Sequence, residues 1–406
     1  MSAAAATGAA KMGSAAPAGL ILTLNAGSSS LKASIWALDR SSVLGAALAV
    51  CQVEPLGEAA RLIWREGGAR SESAIGAADH SRAVAAILRR GEALLEAAPL
   101  RAVGHRIAHG GAEFAEPREL DAAAMAALVE LAPFAPLHQP HNLAAARAAM
   151  EAFPAARQIG CFDTAFHRGH PFVNDVFALP RRYYEAGVRR YGFHGLSYQY
   201  VTRALAERAP SLAAGRVIVA HLGAGASMCA VKAGRSIAST MGFSALDGLP
   251  MATRCGQLDP GALLYVMERD GLSPAQISAM LYKESGLKGL SGISGDLRVL
   301  EASSAPEAAQ AIDYYIFRIR REIGAMAATL GGLDALVFCG GVGENSARIR
   351  AAVCADMDWL GLSLDPERNA APGDAPRDIA ADGAATSVQI IPTDEERVIA
   401  EAAATA

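Results

Sequence analysis

Two arginines stand in settings that invite chemistry. Arg106 lies in Gly104-His105-Arg106-Ile107-Ala108-His109-Gly110-Gly111, and Arg254 lies in Met251-Ala252-Thr253-Arg254-Cys255-Gly256. A guanidinium stays charged and forks onto carboxylate or phosphate, so each is a candidate anion holder. The competing reading for any single arginine is a solvated surface charge. Asp163, in Phe162-Asp163-Thr164-Ala165-Phe166-His167, falls where a strand should end and could hold a metal-bound water or orient a neighbour. Glu395, in Thr393-Asp394-Glu395-Glu396, is either a Mg²⁺ ligand or a helix cap. Seven of the nine histidines fall between positions 105 and 194. A zinc hydrolase could be drawn from them, but no H-E-x-x-H occurs and the glycines after His109 argue against a helical pair of ligands. Most of these histidines therefore read as hydrogen-bonded structural groups, with His138 and His194 the exceptions developed below.

Three glycine-containing turns, each carrying polar side chains, follow apolar runs. The first is Asn25-Ala26-Gly27-Ser28-Ser29-Ser30-Leu31-Lys32. Successive backbone N–H groups there can form an anion nest, and serine hydroxyls and a lysine can add to it. The chain has only five lysines, so Lys32 in such a motif carries weight. The second turn is His221-Leu222-Gly223-Ala224-Gly225-Ala226-Ser227, and the third is Gly340-Gly341-Val342-Gly343-Glu344-Asn345. None is a Walker loop, because no G-x-x-x-x-G-K-[ST] is present. The second is no dinucleotide fingerprint either, since residues 228–231 read as a strand where a helix is required. The third opens what looks like a helix, where phosphate is favoured.

The elements that must position these groups alternate between strand and helix. Strands are predicted at 20–24, 33–38, 61–64, 158–162, 216–221, 228–231, 335–339 and 388–391, and a short apolar stretch at 102–104 leads into the Arg106 segment. Helices are predicted at 79–97, 121–131, 142–152, 260–269, 273–283 and 305–330, with one more at the C-terminus. That alternation argues an α/β class, and the strand–turn–strand pattern of 20–38 recurs at 216–236. With 406 residues, 52% of them hydrophobic and 19% charged, there is material for two or three cored domains, which excludes a disordered chain. A net charge of −4 excludes the basic footprint of a nucleic-acid binder. No apolar run approaches the ~18 residues of a membrane span. The six cysteines lack any C-x-x-C pair and read as reduced, mostly buried thiols. Residues 1–18 read as a disordered leader outside the fold.

Taken together, the motifs closely resemble those of the acetate kinases. The resemblance rests on the three turns above, on the segments around Arg106, Asp163 and Arg254, on Arg190-Tyr191-Gly192-Phe193-His194-Gly195 and on Ile391-Pro392-Thr393-Asp394-Glu395-Glu396. All occur in the family's order and span nearly the whole chain. The resemblance implies two ribonuclease-H-like α/β domains of the acetate and sugar kinase/Hsc70/actin fold around a cleft. Domain I would be 19–164 plus 395–406, and domain II 165–394, the latter forming a homodimer contact. It implies a cytoplasmic enzyme that phosphorylates acetate reversibly with ATP and Mg²⁺, or Mn²⁺ in its place, and has no nucleic-acid or membrane partner. By the same resemblance Asn25 and Glu395 hold the metal, and Ser28, Ser30 and Lys32 form the phosphate turn. Arg106 binds the substrate carboxylate, with Asp163 supporting it or the metal. Arg254 meets the phosphoryl group in transit, and His138 and His194 hydrogen-bond to it. His221, Leu222, Gly223, Ala224 and Gly225 line the phosphates. Asp296, Leu297, Arg298, Gly341, Val342, Gly343, Glu344 and Asn345 hold the adenosine.

The chain departs from the family pattern in four places. Ala224 replaces the usual Asn, removing a phosphate-side donor, and Asp394 replaces an Asn beside the metal carboxylate. In the acyl pocket Leu137 and Phe193 are kept, but Ala108 stands for Val and Ala245 for Pro. Each lost methylene-sized volume leaves room worth about 1 kcal/mol to a larger acyl chain. Propionate is therefore expected as a substrate beside acetate, and a propionate or butyrate kinase is the nearest alternative. A non-catalytic nucleotide binder of the same fold is disfavoured because it needs no carboxylate clamp. A histidine-based metallohydrolase would be exposed by its zinc.

Overall fold

The computed structural model describes residues 17–27 and 29–406. The expected leader lies almost wholly outside the described residues, and so does Ser28 of the first turn. The chain divides into two compact units, one of residues 1–105, 144–159 and 400–406, the other of residues 106–143 and 160–399.

In the first unit, β1 (Gly19–Ala26) and β2 (Leu31–Leu38) form an antiparallel hairpin. It is extended by β3 (Leu44–Glu54), β4 (Gly57–Glu66) and β5 (Ala69–Ala78), while β6 (Leu100–Ile107) lies parallel to β1 on its other side. These six strands run in the order β5-β4-β3-β2-β1-β6 within an eight-stranded sheet. Leu20, Leu22 and Leu24 alternate along β1 and enter one core with Ile35, Trp64 and Ile87, and Ile21 and Thr23 between them are buried too, so the strand is covered on both faces. The helical stretch expected at 79–97 is two helices, His80–Arg90 and Glu92–Glu96. Gly91 divides them, and a Cβ there would stand 3.0 Å from both Ile35 and Trp64. Close packing onto the sheet, not helix propensity, decides that break.

Two short strands stand between the sheets in sequence, β7 (Arg118–Glu119) and β8 (Arg157–Phe162). In the second unit, β9 (Arg216–Leu222), β10 (Ala226–Lys232) and β11 (Arg235–Ser239) form an antiparallel meander. β12 (Ala335–Cys339) lies parallel to β9, and β14 (Ser387–Ile390) lies parallel to β12, with β13 (Arg377–Asp378) at the edge. The order is β11-β10-β9-β12-β14-β13. Both sheets thus build the same motif, a hairpin whose first strand takes a later parallel partner, which matches the repeat seen in the sequence. Side chains of β9 alternate between two cores, Val217 and Val219 on one face and Ile218, Ala220 and Leu222 on the other. The helix Pro306–Leu330 covers the second face with Ile312, Tyr315, Ile319 and Ile323, spaced three or four residues apart. The helix Gly195–Arg208 covers the first with Tyr198, Val201 and Leu205. The helix expected at 273–283 is α-helical only through Ala279 and continues as a π-turn from Met280 to Glu284. That turn presents the Tyr282 carbonyl to the Thr253 hydroxyl at 2.8 Å, next to Arg254. All six cysteines are free, and five are buried.

Candidate active site

Arg106 sits near the end of β6 and Asp163 immediately follows β8. The backbone fixes them, because Asp163 N–H donates to the Ile107 carbonyl at 3.0 Å. The guanidinium then forks onto the carboxylate, Nε to Oδ1 at 3.0 Å and Nη2 to Oδ2 at 2.8 Å. Its Nη1 lies 3.5 Å from Glu395 Oε2, at the start of the last helix, Glu395–Thr405. Burial opposes the charge on Arg106, but the two carboxylates outweigh it and push its pKa above the ordinary arginine value. Burial raises the Asp163 carboxyl, against the pull of Arg106. Asp394, not Glu395, caps the last helix, its Oδ1 accepting from Arg397 N–H at 3.0 Å.

His194 precedes the helix Gly195–Arg208 with φ of 57°, a conformation uncommon for a residue with a side chain. Gly195 explains the tightness. Its N–H donates to the Asp163 carbonyl at 2.8 Å, and a Cβ on it would lie 2.2 Å from that oxygen. The His194 ring stacks on His221 with centroids 4.3 Å apart. Its Nδ1 is 2.8 Å from Ser227 Oγ, which is 2.5 Å from Tyr198 OH. His221 Nδ1 is likewise 2.8 Å from Ser197 Oγ. Burial, then the neighbouring His221 and the arginines, hold His194 well below the ordinary imidazole value. Burial and Arg106 lower His221 to about 4.

Arg254 differs from Arg106. Its Nη1 donates to the Ala245 carbonyl at 3.2 Å and touches Met251 Sδ at 3.4 Å. Among the described residues no carboxylate lies within ion-pair distance of it. Burial lowers its pKa from the ordinary value. His138 is nearby, lowered to about 3 by burial and then by Arg254 and Arg106. An ideal Cβ on Gly225 would lie 3.4 Å from His194 Nε2 and 3.9 Å from Arg254 Nη1, so both groups converge on that backbone.

Beside this cluster the second unit holds a cavity of about 690 Å³. Its lining includes Gly223 and Ala224 of the second turn, Asp296, Leu297 and Arg298, and Gly341, Val342 and Asn345 of the third. Gly340 has φ of 75°, and a Cβ there would strike the Leu222 carbonyl at 2.7 Å. Leu222 and Gly343 are buried behind the lining. Glu344 turns its carboxylate inward, accepting from Gly340 N–H at 2.7 Å and Thr393 N–H at 3.1 Å. It braces the turn that the resemblance assigns to holding the adenosine. Arg298 is paired to Asp296 at 2.6 Å on the cavity rim.

The remaining candidates of the first turn belong to the first unit. Asn25 and Lys32 face each other across the β1–β2 hairpin, Gly27 N–H donates to the Ser30 carbonyl at 2.8 Å, and Lys32 is exposed. Of the four acyl-pocket candidates, Ala108, Phe193 and Ala245 are buried and Leu137 is half-buried. Sequence reasoning assigned no role to Ser197, Tyr198 or Ser227. Ser227 closed a quoted motif, but nothing in its spacing pairs it with a tyrosine 29 residues earlier.

The donor set also bears on the divalent cation implied by the resemblance. Among the described residues no group of three or more His, Cys, Asp or Glu side chains could hold a metal. Glu395 supplies one carboxylate beside Arg106. A single hard oxygen ligand suits Mg²⁺, which keeps its waters and binds through few carboxylates plus substrate phosphates.

A cavity floored by two glycine turns, beside unpaired and paired arginines and neutral imidazoles, is the equipment of a phosphoryl-transfer enzyme. A sequence model of the Acetokinase family matches residues 20–401. An acetate kinase of Methylocella silvestris is 51% identical over 394 residues, covering 94% of this chain and 96% of that one. An acetate kinase of Nitrobacter hamburgensis is 48% identical over 390 residues, 94% of each chain. Among solved structures, the Porphyromonas gingivalis acetate kinase superposes with a TM-score of 0.85 at 38% identity, over 96% of this chain and 99% of that one. A Francisella tularensis propionate kinase gives 0.86 at 31% identity, over 95% and 98%. The chain belongs to the acetokinase family, and its fold is that of the acetate and sugar kinases, Hsc70 and actin.

Proposed function

We propose that this chain is an acetate kinase, transferring the terminal phosphoryl group of ATP to acetate and releasing acetyl phosphate and ADP, reversibly. The observation that carries the reading is the convergence of His194 Nε2 and the carboxylate-free Arg254 on Gly225, a neighbour of cavity-lining Ala224. Acetate is a weak nucleophile but already ionised near neutral pH, so no strong base is needed. The residues instead position the groups and neutralise charge on an in-line path. Arg254 meets the transferring phosphoryl. His194 and His138, neutral at pH 7, donate hydrogen bonds to it. Arg106, held by Asp163, orients the acetate. The cavity takes the adenosine, with Asn25, Ser30 and Lys32 assigned to metal and phosphate. Glu395 and Asn25 would hold Mg²⁺, or Mn²⁺, which supplies charge neutralisation on the phosphates when bound. We assign the chain to the cytoplasm as a homodimer, with domain I of 19–164 plus 395–406 and domain II of 165–394. A hydroxamate assay with ATP, Mg²⁺ and acetate should give acyl phosphate; none from any short carboxylate overturns the reading.

Propionate is expected as a second substrate. The small side chains at Ala108 and Ala245 support this, and the Ala245 carbonyl accepts directly from Arg254. Comparing kcat/KM for acetate, propionate and butyrate checks it, and a steep preference for acetate alone would sink it.

A further inference from the structure

Two consecutive residues of the helix Gly195–Arg208 serve two stacked imidazoles. Ser197 Oγ lies 2.8 Å from His221 Nδ1, and Tyr198 OH reaches His194 through Ser227 Oγ at 2.5 and 2.8 Å. Tyr198 and Ser227 are both fully buried. Two proton orders are possible along the second chain. In one, the phenol donates to Ser227, and Ser227 donates to His194 Nδ1. In the other, His194 Nδ1–H donates to Ser227, and Ser227 donates to the phenol oxygen. The second order leaves the phenol proton with no acceptor among the described residues, at a fully buried position, which costs a buried donor. The first gives the phenol, the serine hydroxyl and Nδ1 each a partner, and it runs from the more acidic hydroxyl towards the better acceptor.

We propose that Tyr198 and Ser227 are positioning residues that lock His194 in the tautomer carrying its proton on Nε2, the edge that faces Gly225 and Arg254. Neither residue touches the reacting atoms. Their work is to make His194 a hydrogen-bond donor at the place where phosphoryl charge develops. A neutral imidazole has one donor edge and one acceptor edge, and the wrong choice would present a lone pair to an anion. Burial of the ring, stacked on His221, keeps the imidazole from answering the question by taking a second proton. The catalytic consequence rests on the phosphoryl-transfer reading above; the tautomer itself does not.

The test uses the full-length protein with ¹⁵N-labelled histidine. Imidazole ¹⁵N shifts distinguish protonated from bare nitrogens, and comparison with His194→Gln assigns the His194 signals. The expected result is Nε2–H with bare Nδ1 in the unmodified protein at pH 7. Ser227→Ala should lose that single tautomer, and Tyr198→Phe should weaken it. With ATP and acetate, Ser227→Ala is expected to lower kcat by at least about tenfold while KM for ATP changes little, because an oriented donor acts in the transition state. Ser227→Thr, which restores a hydroxyl, should recover both the spectrum and kcat. An Nδ1–H tautomer in the unmodified protein overturns the proposal. So does a Ser227→Ala enzyme that keeps full kcat, or a Thr variant that folds and shows no recovery. A protein with the expected spectrum that makes no acyl phosphate would count against the function and leave the tautomer assignment standing.

Discussion

The surroundings of Arg106 and of Arg254 solve the same problem in opposite ways. Both bring a guanidinium out of bulk water. Around Arg106 the chain supplies two carboxylates, one of them forked onto the guanidinium. Around Arg254, among the described residues, the hydrogen-bond partners are a carbonyl and a thioether. Arg106 is therefore part of the folded framework even before substrate arrives. Arg254 holds a charge whose best partner is an anion brought from outside. On the proposed mechanism, the difference separates a group that orients from a group that receives.

That contrast can be broken most severely at Arg106. Arg106→Ala leaves Asp163 buried without its counter-charge, and losing one partner of a buried pair costs about 3–5 kcal/mol. Urea unfolding should show that loss alongside lost activity, and Arg106→Ala combined with Asp163→Ala should regain stability without regaining activity. Unchanged stability in the single variant would erase the distinction. Next comes Arg254→Ala, which orphans no carboxylate. Its kcat should fall about 10²–10³-fold, as for a lost transition-state donor, while its melting temperature barely moves. A large drop in melting temperature would make Arg254 structural too.

A finer measure uses His138, lowered to about 3 by burial first, then Arg254, then Arg106. Arg254→Gln should raise the His138 pKa more than Arg106→Gln does, read by NMR titration. The same histidines give the protein an acid limit. His105 and His167 are pushed down to about 4 by burial, so the native state refuses protons that the unfolded chain accepts near pH 6.5. Their stabilising contribution is full above about pH 6.5 and is lost as the pH falls towards 4. Unfolding midpoints at pH 7.5, 5.5 and 4.5 should fall in that order, less steeply in His105→Gln. The smallest effect is expected at Arg298, an exposed rim residue. Arg298→Ala should raise KM for ATP by about threefold and leave kcat unchanged.

Much of this was legible in the sequence because short apolar runs bounded by turn residues, such as 20–24 and 216–221, declare themselves as buried strands. β5 did not, since nearly every residue from Ala69 to Ala77 is exposed and no alternation exists to read. The π-turn at 280–284 was hidden inside a good helical pattern, because its cause is the Thr253 hydroxyl on another segment. In the site, the charged groups stood out by motif. Glu344 did not reveal that it braces Gly340 and Thr393, nor Tyr198 that it reaches His194, because Thr393 and Ser227, which complete these links, are distant along the chain.

Gly195 carries one more consequence. Its missing Cβ lets the Asp163 carbonyl approach, and the Asp163 side chain holds Arg106. Any side chain at 195 would push back the carbonyl of Asp163, the residue that holds the arginine proposed to orient the acid. The stretch from Phe193 to Gly195 is thus a poor place to vary acyl preference by substitution, whether in the laboratory or by descent. Changes of substrate are expected instead at Ala108 and Ala245, the small side chains proposed to line the acyl pocket.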